Sequence, residues 1–246
     1  MPPQTPAIEA SGLGKRFELR HERPASLAQQ VMAIVRREPR SEPFWALRDV
    51  SFEVPSGRAL GVIGRNGSGK STLLKILAGT LRPTTGRLTV RGSVSTLLQI
   101  GGGFHPDFSG RNNAFVSAAL LGIPAGQLRD QFDELVAFAE LDRFIDVPTK
   151  YYSSGMLARL GFAVSMAANA EITIIDEVLG VGDAAFQRKC EARLRTLMAD
   201  GRTVVLVSHD ANAVRSLCDE ALWLDRGVVR ARGAAADVVN AYESSY

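Results

Sequence analysis

Cysteine is scarce in this sequence. Cys190 and Cys218 are the only two, and neither CxxC nor metal-ligand spacing relates them. In a reducing compartment such residues serve as small buried hydrophobes, and no chemistry is assigned to them. Long apolar runs are missing as well. The longest, residues 114–123 and 160–168, fall short of the roughly 20 residues needed to cross a hydrocarbon core, so the sequence predicts no membrane-spanning helix. The opening Met1-Pro2-Pro3-Gln4-Thr5-Pro6 has no basic stretch leading into an apolar core. No secretory signal is expected, and the reading places the chain in the cytosol. Charge of one sign is also lacking: 29 Lys and Arg against 26 Asp and Glu leave a net +3. These charges are scattered without a block, which speaks against the basic footprint of a nucleic-acid binder. No internal repeat or low-complexity linker interrupts the chain.

What is present is enough apolar material for a substantial core, 46% of 246 residues, in a length suited to one large domain or one domain with an inserted lobe. Runs rich in β-branched residues at 45–54, 59–63, 94–98, 172–175 and 203–207 read as strands. Helical patterns over 70–81, 184–199 and 211–217 follow three of them, and this alternation predicts a parallel sheet covered by helices. From about 104 to 168 strand patterns give way to helical ones, one beginning near Ser109 and another after Pro124, so an all-helical lobe is inserted between sheet strands. A hairpin of 221–224 with 228–232 around Asp225-Arg226-Gly227, then a short helix from Ala234, closes the chain. The expected fold class is α/β, a P-loop NTPase parallel sheet with antiparallel strands and an inserted α-helical subdomain. Its expected parts are a core at about 7–103 and 169–232, a helical subdomain at about 104–168, an amphipathic insertion at about 24–38 and a C-terminal helix at about 234–246.

The chemistry begins at Gly64-Arg65-Asn66-Gly67-Ser68-Gly69-Lys70-Ser71-Thr72, which matches GxxxxGK[ST] after an apolar strand and at the opening of an amphipathic helix. Glycines at 64, 67 and 69 let successive backbone N–H groups curl around an anion. The helix N-terminus adds partial positive charge, and Lys70 brings a full charge to the β- and γ-phosphates. Ser71 is expected to ligate Mg²⁺ through its hydroxyl. A glycine turn without a ligand has no use for a Lys-Ser pair at the helix start. No NKxD guanine motif occurs, so the base is expected to be adenine, held by stacking on an upstream aromatic.

A second acidic element lies where the Ile172-Thr173-Ile174-Ile175 strand runs into Asp176-Glu177. Asp176, nearer the strand, is expected to hold the Mg²⁺ shell. Glu177, one residue further out, is expected to act as general base on the attacking water. Either carboxylate alone is explained by helix capping, but the pair downstream of a P-loop is not.

At this point the chain resembles the nucleotide-binding domain of ABC transporters, from about residue 8 to 232. The resemblance implies a Q-loop glutamine at Gln99, touching Mg²⁺ and relaying nucleotide state to a membrane subunit. It implies a signature motif at Tyr152-Ser153-Ser154-Gly155-Met156, where Ser153 and the helix start meet a γ-phosphate. It further implies a D-loop at Gly180-Val181-Gly182-Asp183, a switch histidine at His209, and by family position Phe17 as the adenine stacker, with Trp45 the alternative because the 18–44 interval shifts the alignment. Ser154 and Met156 replace the Gly and Gln of LSGGQ, and Val178-Leu179 replaces the frequent Pro-Thr, departures that bear on turnover rate. Cofactors implied are ATP and Mg²⁺, in a homodimer with each ATP sandwiched between one chain's P-loop and the other's residues 153–156.

The phrase Leu98-Gln99-Ile100-Gly101-Gly102-Gly103-Phe104, the YSSGM motif and the DEVLGVGD run resemble exporters of lipid-linked polysaccharides. That subgroup moves O-antigen, teichoic acid or capsular glycans with a two-copy membrane permease, and the resemblance implies a place at the cytoplasmic face of the inner membrane. The alternatives are an exporter of drugs or lipids and a soluble ABC ATPase acting on ribosomes or DNA. Only 37 residues follow His209, so glycan recognition is expected elsewhere unless the chain is part of a longer protein. Residues 18–44 fill an interval that is often longer in this subgroup. Within it Leu27, Val31, Ile34 and Val35 form one apolar stripe between Pro24 and Pro39, an amphipathic helix. It packs on the domain's own sheet, or lies at the permease mouth or lipid headgroups, where Arg36 and Arg37 meet phosphates.

Overall fold

The computed structural model describes residues 5–20, 41–97, 103–176, 183–208 and 210–245. Gln99, Glu177, Gly180, Val181, Gly182, His209 and the 24–38 stretch therefore lie outside the described residues.

Strand β3 (Ala59–Ile63) is buried at every position, as expected of an apolar run that is covered on both faces. Beside it lie β7 (Thr203–Val207) on one side and β8 (Glu220–Asp225) on the other, both parallel to it. Outward from β7 follow β6 (Ile172–Asp176) and β5 (Val94–Leu97), also parallel, and β9 (Val228–Ala234) returns antiparallel on β8. The order is β5-β6-β7-β3-β8-β9. Five parallel strands thus end at one edge, and the loops leaving that edge carry the motifs.

A second sheet of order β2-β1-β4 is built from β1 (Pro6–Arg20), β2 (Ser41–Pro55) and β4 (Thr85–Val90). The expected interval of 18–44 between the first two strands is shorter than expected. Cross-strand pairing runs on to Leu19 with Glu42 and Arg20 with Ser41, so both strands extend as a ribbon beyond their contact with β4. Strand β4 itself was not expected. No position in it is buried, so it shows no half-buried alternation to read.

Helix α1 (Lys70–Leu77) ends four residues before the expected 81, because Gly79 adopts φ 71 and the amides of Thr80 and Leu81 turn back to the Lys75 carbonyl. It buries Leu73, Leu74, Ile76 and Leu77 in a cluster shared with Leu13, Leu47, Val50 and Phe52 of the second sheet. The opposite face of the parallel sheet is covered by α6 (Ala184–Ala199), α7 (Ala211–Leu217) and α8 (Ala235–Glu243).

Between β5 and β6 lie α2 (Gly110–Leu120), α3 (Ala125–Asp130), α4 (Phe132–Ala139) and α5 (Ser154–Met166). The helical pattern after Pro124 is broken at Gln131. These helices enclose their own cluster around Leu128, Leu135, Leu141 and Leu160. Helix α5 belongs to two clusters at once, since its Phe162 and Met166 pack with Phe186 of α6. Burying such an aromatic contributes about 1.5–3 kcal/mol, so α5 is the main apolar tie between the helical bundle and the sheet.

No helix among the described residues is long and apolar enough to cross a membrane. Burial pushes the thiols of Cys190 and Cys218 up to about 12, which keeps both protonated and unreactive at neutral pH.

Candidate functional site

Ile63 ends β3 and the chain turns at once into the glycine loop. Gly64, Gly67 and Gly69 have φ of 152, 79 and 108, all in the left-handed region that side chains rarely enter. At Gly64 a Cβ would also collide with the Leu224 carbonyl oxygen, and at Gly69 it would lie 2.6 Å from the Ala46 carbonyl oxygen. A Cβ at Gly67 would meet nothing within 4 Å among the described residues, so the loop is open there. The loop is braced from behind: Gly227 donates to the Ser68 carbonyl at 2.9 Å, and Arg48 donates to the Gly227 carbonyl at 2.7 Å. The β8–β9 turn and β2 therefore hold its curvature.

Two features of this cradle point to an anion. Helix α1 has Gly69 as its N-cap, with no side chain of the described residues capping its amides, which leaves N–H groups at the positive end of the helix dipole. The Ser68 hydroxyl, 3% exposed by residue, has no hydrogen-bond partner among the described residues, and such an orphan costs about 1–3 kcal/mol unless another group, a ligand or water satisfies it. Lys70 is 6% exposed. Its ammonium donates to the carbonyls of Gly64 at 2.6 Å and Arg65 at 3.1 Å, so the charge is held inside the loop. Arg65 and Asn66 are exposed on the rim, Ser71 is exposed on the first turn of α1, and Thr72 beside it is half-buried.

Asp176 closes β6 at the same edge. In register, Asp176 stands opposite Val207 of β7, and Val207 stands opposite Val62 of β3. With strands about 4.8 Å apart, the Asp176 backbone is about two strand spacings from the residue that precedes Ile63. Ser208, buried at 5%, leaves β7 between them, and α1 packs against β6. Leu97 and Asp176 end β5 and β6 at this edge, and Gln99, Glu177 and His209 follow Leu97, Asp176 and Ser208 in the sequence. Loops at the carboxyl ends of parallel strands are where ligands of such sheets bind.

The residues present fit a nucleotide with its magnesium. Among the described residues no group of three or more His, Cys, Asp or Glu side chains is placed to hold a metal. Mg²⁺ does not need one: it is usually bound by one or two protein oxygens together with substrate phosphates. Ser71 and Asp176 offer that donor set.

The 153–156 turn lies elsewhere, at the start of α5. The Ser153 hydroxyl accepts from the Met156 amide at 3.2 Å and caps the helix, as an N-cap serine does. Its hydrogen stays available to donate. Ser154 is exposed, and Gly155 and Met156 are half-buried. Asp183 caps α6, accepting from Ala185 at 3.0 Å and Phe186 at 2.9 Å. The Phe186 amide above all, and then Arg159, hold its carboxyl below the usual range.

The two aromatic candidates part company. Phe17 pairs with Phe44 and Arg16 with Trp45 on adjacent rungs of the ribbon, and adjacent rungs point to opposite faces. Phe17 and Phe44 are 37% and 46% exposed. Trp45 is half-buried, and its ring is so near Gly14 that a Cβ there would lie 3.0 Å from it. The Phe17–Phe44 rung escaped the sequence reading, which lacked the strand register. Arg159 escaped it too, although a lone charge in the apolar α5 was a visible signal.

Comparison with known proteins bears on this site. The family model described as ABC transporter matches residues 47–180. The chain is 39% identical over 242 residues to the O-antigen export system ATP-binding protein RfbB of Klebsiella pneumoniae, covering 98% of each. It is 46% identical over 200 residues to RfbB of Myxococcus xanthus, covering 81% of this chain but 46% of that protein. With the teichoic acids export ATP-binding protein TagH of Lactococcus lactis it shares 39% identity over 237 residues, covering 96% of this chain and 50% of the relative. The chain thus spans about half the length of two of these relatives and nearly all of the third. Among solved structures, the ATP-binding cassette MJ0796, a dimer in a post-hydrolysis state with ADP and Pi, gives a TM-score of 0.75. The match covers 93% of this chain and 98% of that one at 22% identity, a likeness of fold.

Proposed function

The chain is a member of the ABC transporter family, and from that premise we propose that it is the ATP-binding and ATP-hydrolysing subunit of an exporter of lipid-linked polysaccharide. The cargo class is O-antigen, teichoic acid or capsular glycan, and the chain works as a homodimer on two copies of a membrane permease, at the cytoplasmic face of the inner membrane. The names carried by the relatives from Klebsiella, Myxococcus and Lactococcus support this cargo. The observation that carries the activity is the edge geometry. A glycine cradle with a buried Lys70 and an orphan Ser68 hydroxyl opens beside β7 and the Asp176 end of β6.

In this reading the loop amides and Lys70 bind the phosphates, while Ser71, Asp176 and Gln99 orient the metal. Those three residues would hold Mg²⁺, which would supply positive charge against the negative charge that develops in the transition state. Glu177 takes the proton of the attacking water, and His209 donates to the γ-phosphate. Residues 153–156 and Asp183 serve the partner chain's nucleotide. The parts that do this are a core at about 7–103 and 169–232, a helical subdomain at about 104–168, the 24–38 insertion and the 234–246 helix.

Exposure favours Phe17 as the adenine platform. Phe17→Ala is expected to weaken ATP binding about tenfold, within the ~1–3 kcal/mol range of base–aromatic stacking, and Trp45→Ala to lower stability instead. Equilibrium ATP titration of both variants decides it: no loss from either rejects both residues.

The cargo is tested in cells. A strain lacking this chain is expected to lose its surface glycan and accumulate the lipid-linked form inside, with rescue by the parent chain but not by the Lys70→Ala variant. Unchanged surface glycan would remove the polysaccharide assignment and favour a lipid or drug exporter, or an ATPase not coupled to transport.

A further inference from the structure

Arg159 is the only charged residue of α5, SGMLARLGFAVSM, and its side chain is 17% exposed. One of its terminal nitrogens donates to Glu140 at 2.5 Å and the other to Asp183 at 2.6 Å. Its guanidinium carbon lies 4.9 Å from the centroid of the Phe186 ring. Three elements meet on this one cation. Glu140 caps the end of α4 with φ 58, Arg159 belongs to the helix that Ser153 caps, and Asp183 caps α6.

The two acids are not equivalent. Glu140 has a second cation, Lys189, whose ammonium donates to it at 2.8 Å and to the Phe138 carbonyl at 3.1 Å. Lys189 and then Arg159 hold the Glu140 carboxyl below the usual range. Asp183 has Arg159 as its ion-pair partner and already caps α6 through two amides. For stability alone this arrangement is a poor choice. Exposed ion pairs contribute about 0–1 kcal/mol, and sinking a guanidinium costs desolvation that an apolar side chain on Phe186 would avoid. What the planar fork supplies is geometry, because it fixes two carboxylates in one plane, which a lysine does not do.

We propose that Arg159 is a positioning residue for ATP hydrolysis, coupling the 153–156 turn to Asp183. It makes the start of α5 and the start of α6 one rigid unit, so the engagement of a partner's nucleotide by residues 153–156 sets where Asp183 stands. Asp183 follows Glu177, the proposed base, by six residues in the sequence. The inference rests on the dimeric reading of residues 153–156 and Asp183.

The test compares ATPase kinetics and thermal midpoints of the full chain in parent, Arg159→Met, Asp183→Asn, Glu140→Gln and the Arg159→Met/Asp183→Asn double variant, with permease present. Methionine keeps the packing on Phe186, and asparagine keeps the α6 cap. Arg159→Met and Asp183→Asn are each expected to lower kcat about tenfold with KM for ATP within about threefold, since the interaction acts on the transition state rather than on binding. The double variant is expected to be no slower than the slower single, the sign of a shared interaction. Glu140→Gln is expected to lower the thermal midpoint while leaving kcat within about twofold, because it removes only the structural arm. Unchanged kcat in Arg159→Met overturns the proposal. So do single effects that multiply in the double variant, or an equal fall of kcat in Glu140→Gln. A parent chain that hydrolyses no ATP overturns the underlying dimeric reading, and the proposal with it.

Discussion

Glu177→Gln is expected to bind ATP as the parent does and to hydrolyse it about 10²–10³-fold more slowly, the range that removal of a positioned general base produces. The expectation follows from where the chain leaves the sheet. Asp176 is the last residue of β6, half-buried at the edge that carries the glycine loop. In the proposed reading a carboxylate there orients the metal on the phosphates. Glu177 follows Asp176 directly in the sequence and is the residue proposed as the base. Glutamine keeps the size and hydrogen bonding of glutamate but cannot accept the proton, so binding and chemistry separate. Steady-state turnover and ATP affinity, measured with the permease present, decide the matter. Turnover near that of the parent would mean that Glu177 is not the base.

Lys70→Ala acts at the earlier step. Its ammonium is enclosed by the loop and bonded to the carbonyls of Gly64 and Arg65, a position from which it can turn to a phosphate. Charge-assisted hydrogen bonds are worth about 1.5–3 kcal/mol each, and 1.4 kcal/mol is a factor of ten. The variant is therefore expected to lose about tenfold to several hundredfold in ATP affinity and to show no measurable turnover. Truncation also takes a donor from the Gly64 and Arg65 carbonyls, the second of which keeps the Ser68 amide, so the thermal midpoint is expected to fall modestly. ATP titration by calorimetry checks this, and affinity within about twofold of the parent would detach Lys70 from the phosphates.

The glycine loop was legible in the sequence because its constraint is local. The φ values at 64, 67 and 69 strongly favour glycine, and a lysine and serine at the helix start declare what the curl is for. The buried strands β3, β6 and β7 were legible for the same kind of reason, since continuous apolar β-branched runs have few other uses. The Ser153 cap was also readable, from a serine ahead of an apolar helix. Strand β4 was not, because it is half exposed to fully exposed and holds its place through pairing with β1. The faces of Phe17 and Trp45 were hidden too. The register between β1 and β2 shifts between Lys15 and Arg16, and a single shift reverses every side chain beyond it. Arg159 was visible as an anomaly but not as a clamp, since its partners lie 19 and 24 residues away in the chain and meet it only through the packing of α4, α5 and α6.

The central claim is that each ATP is held between the glycine loop of one chain and residues 153–156 of another. The direct measurement is the molar mass and bound nucleotide of Glu177→Gln, determined by size exclusion with light scattering, without nucleotide and with saturating Mg-ATP. The account predicts a shift from monomer to dimer on adding Mg-ATP, with two ATP molecules retained per dimer, and no shift when Ser153 is replaced by a bulky residue. A chain that remains monomeric at saturating Mg-ATP, even with its permease present, would contradict it.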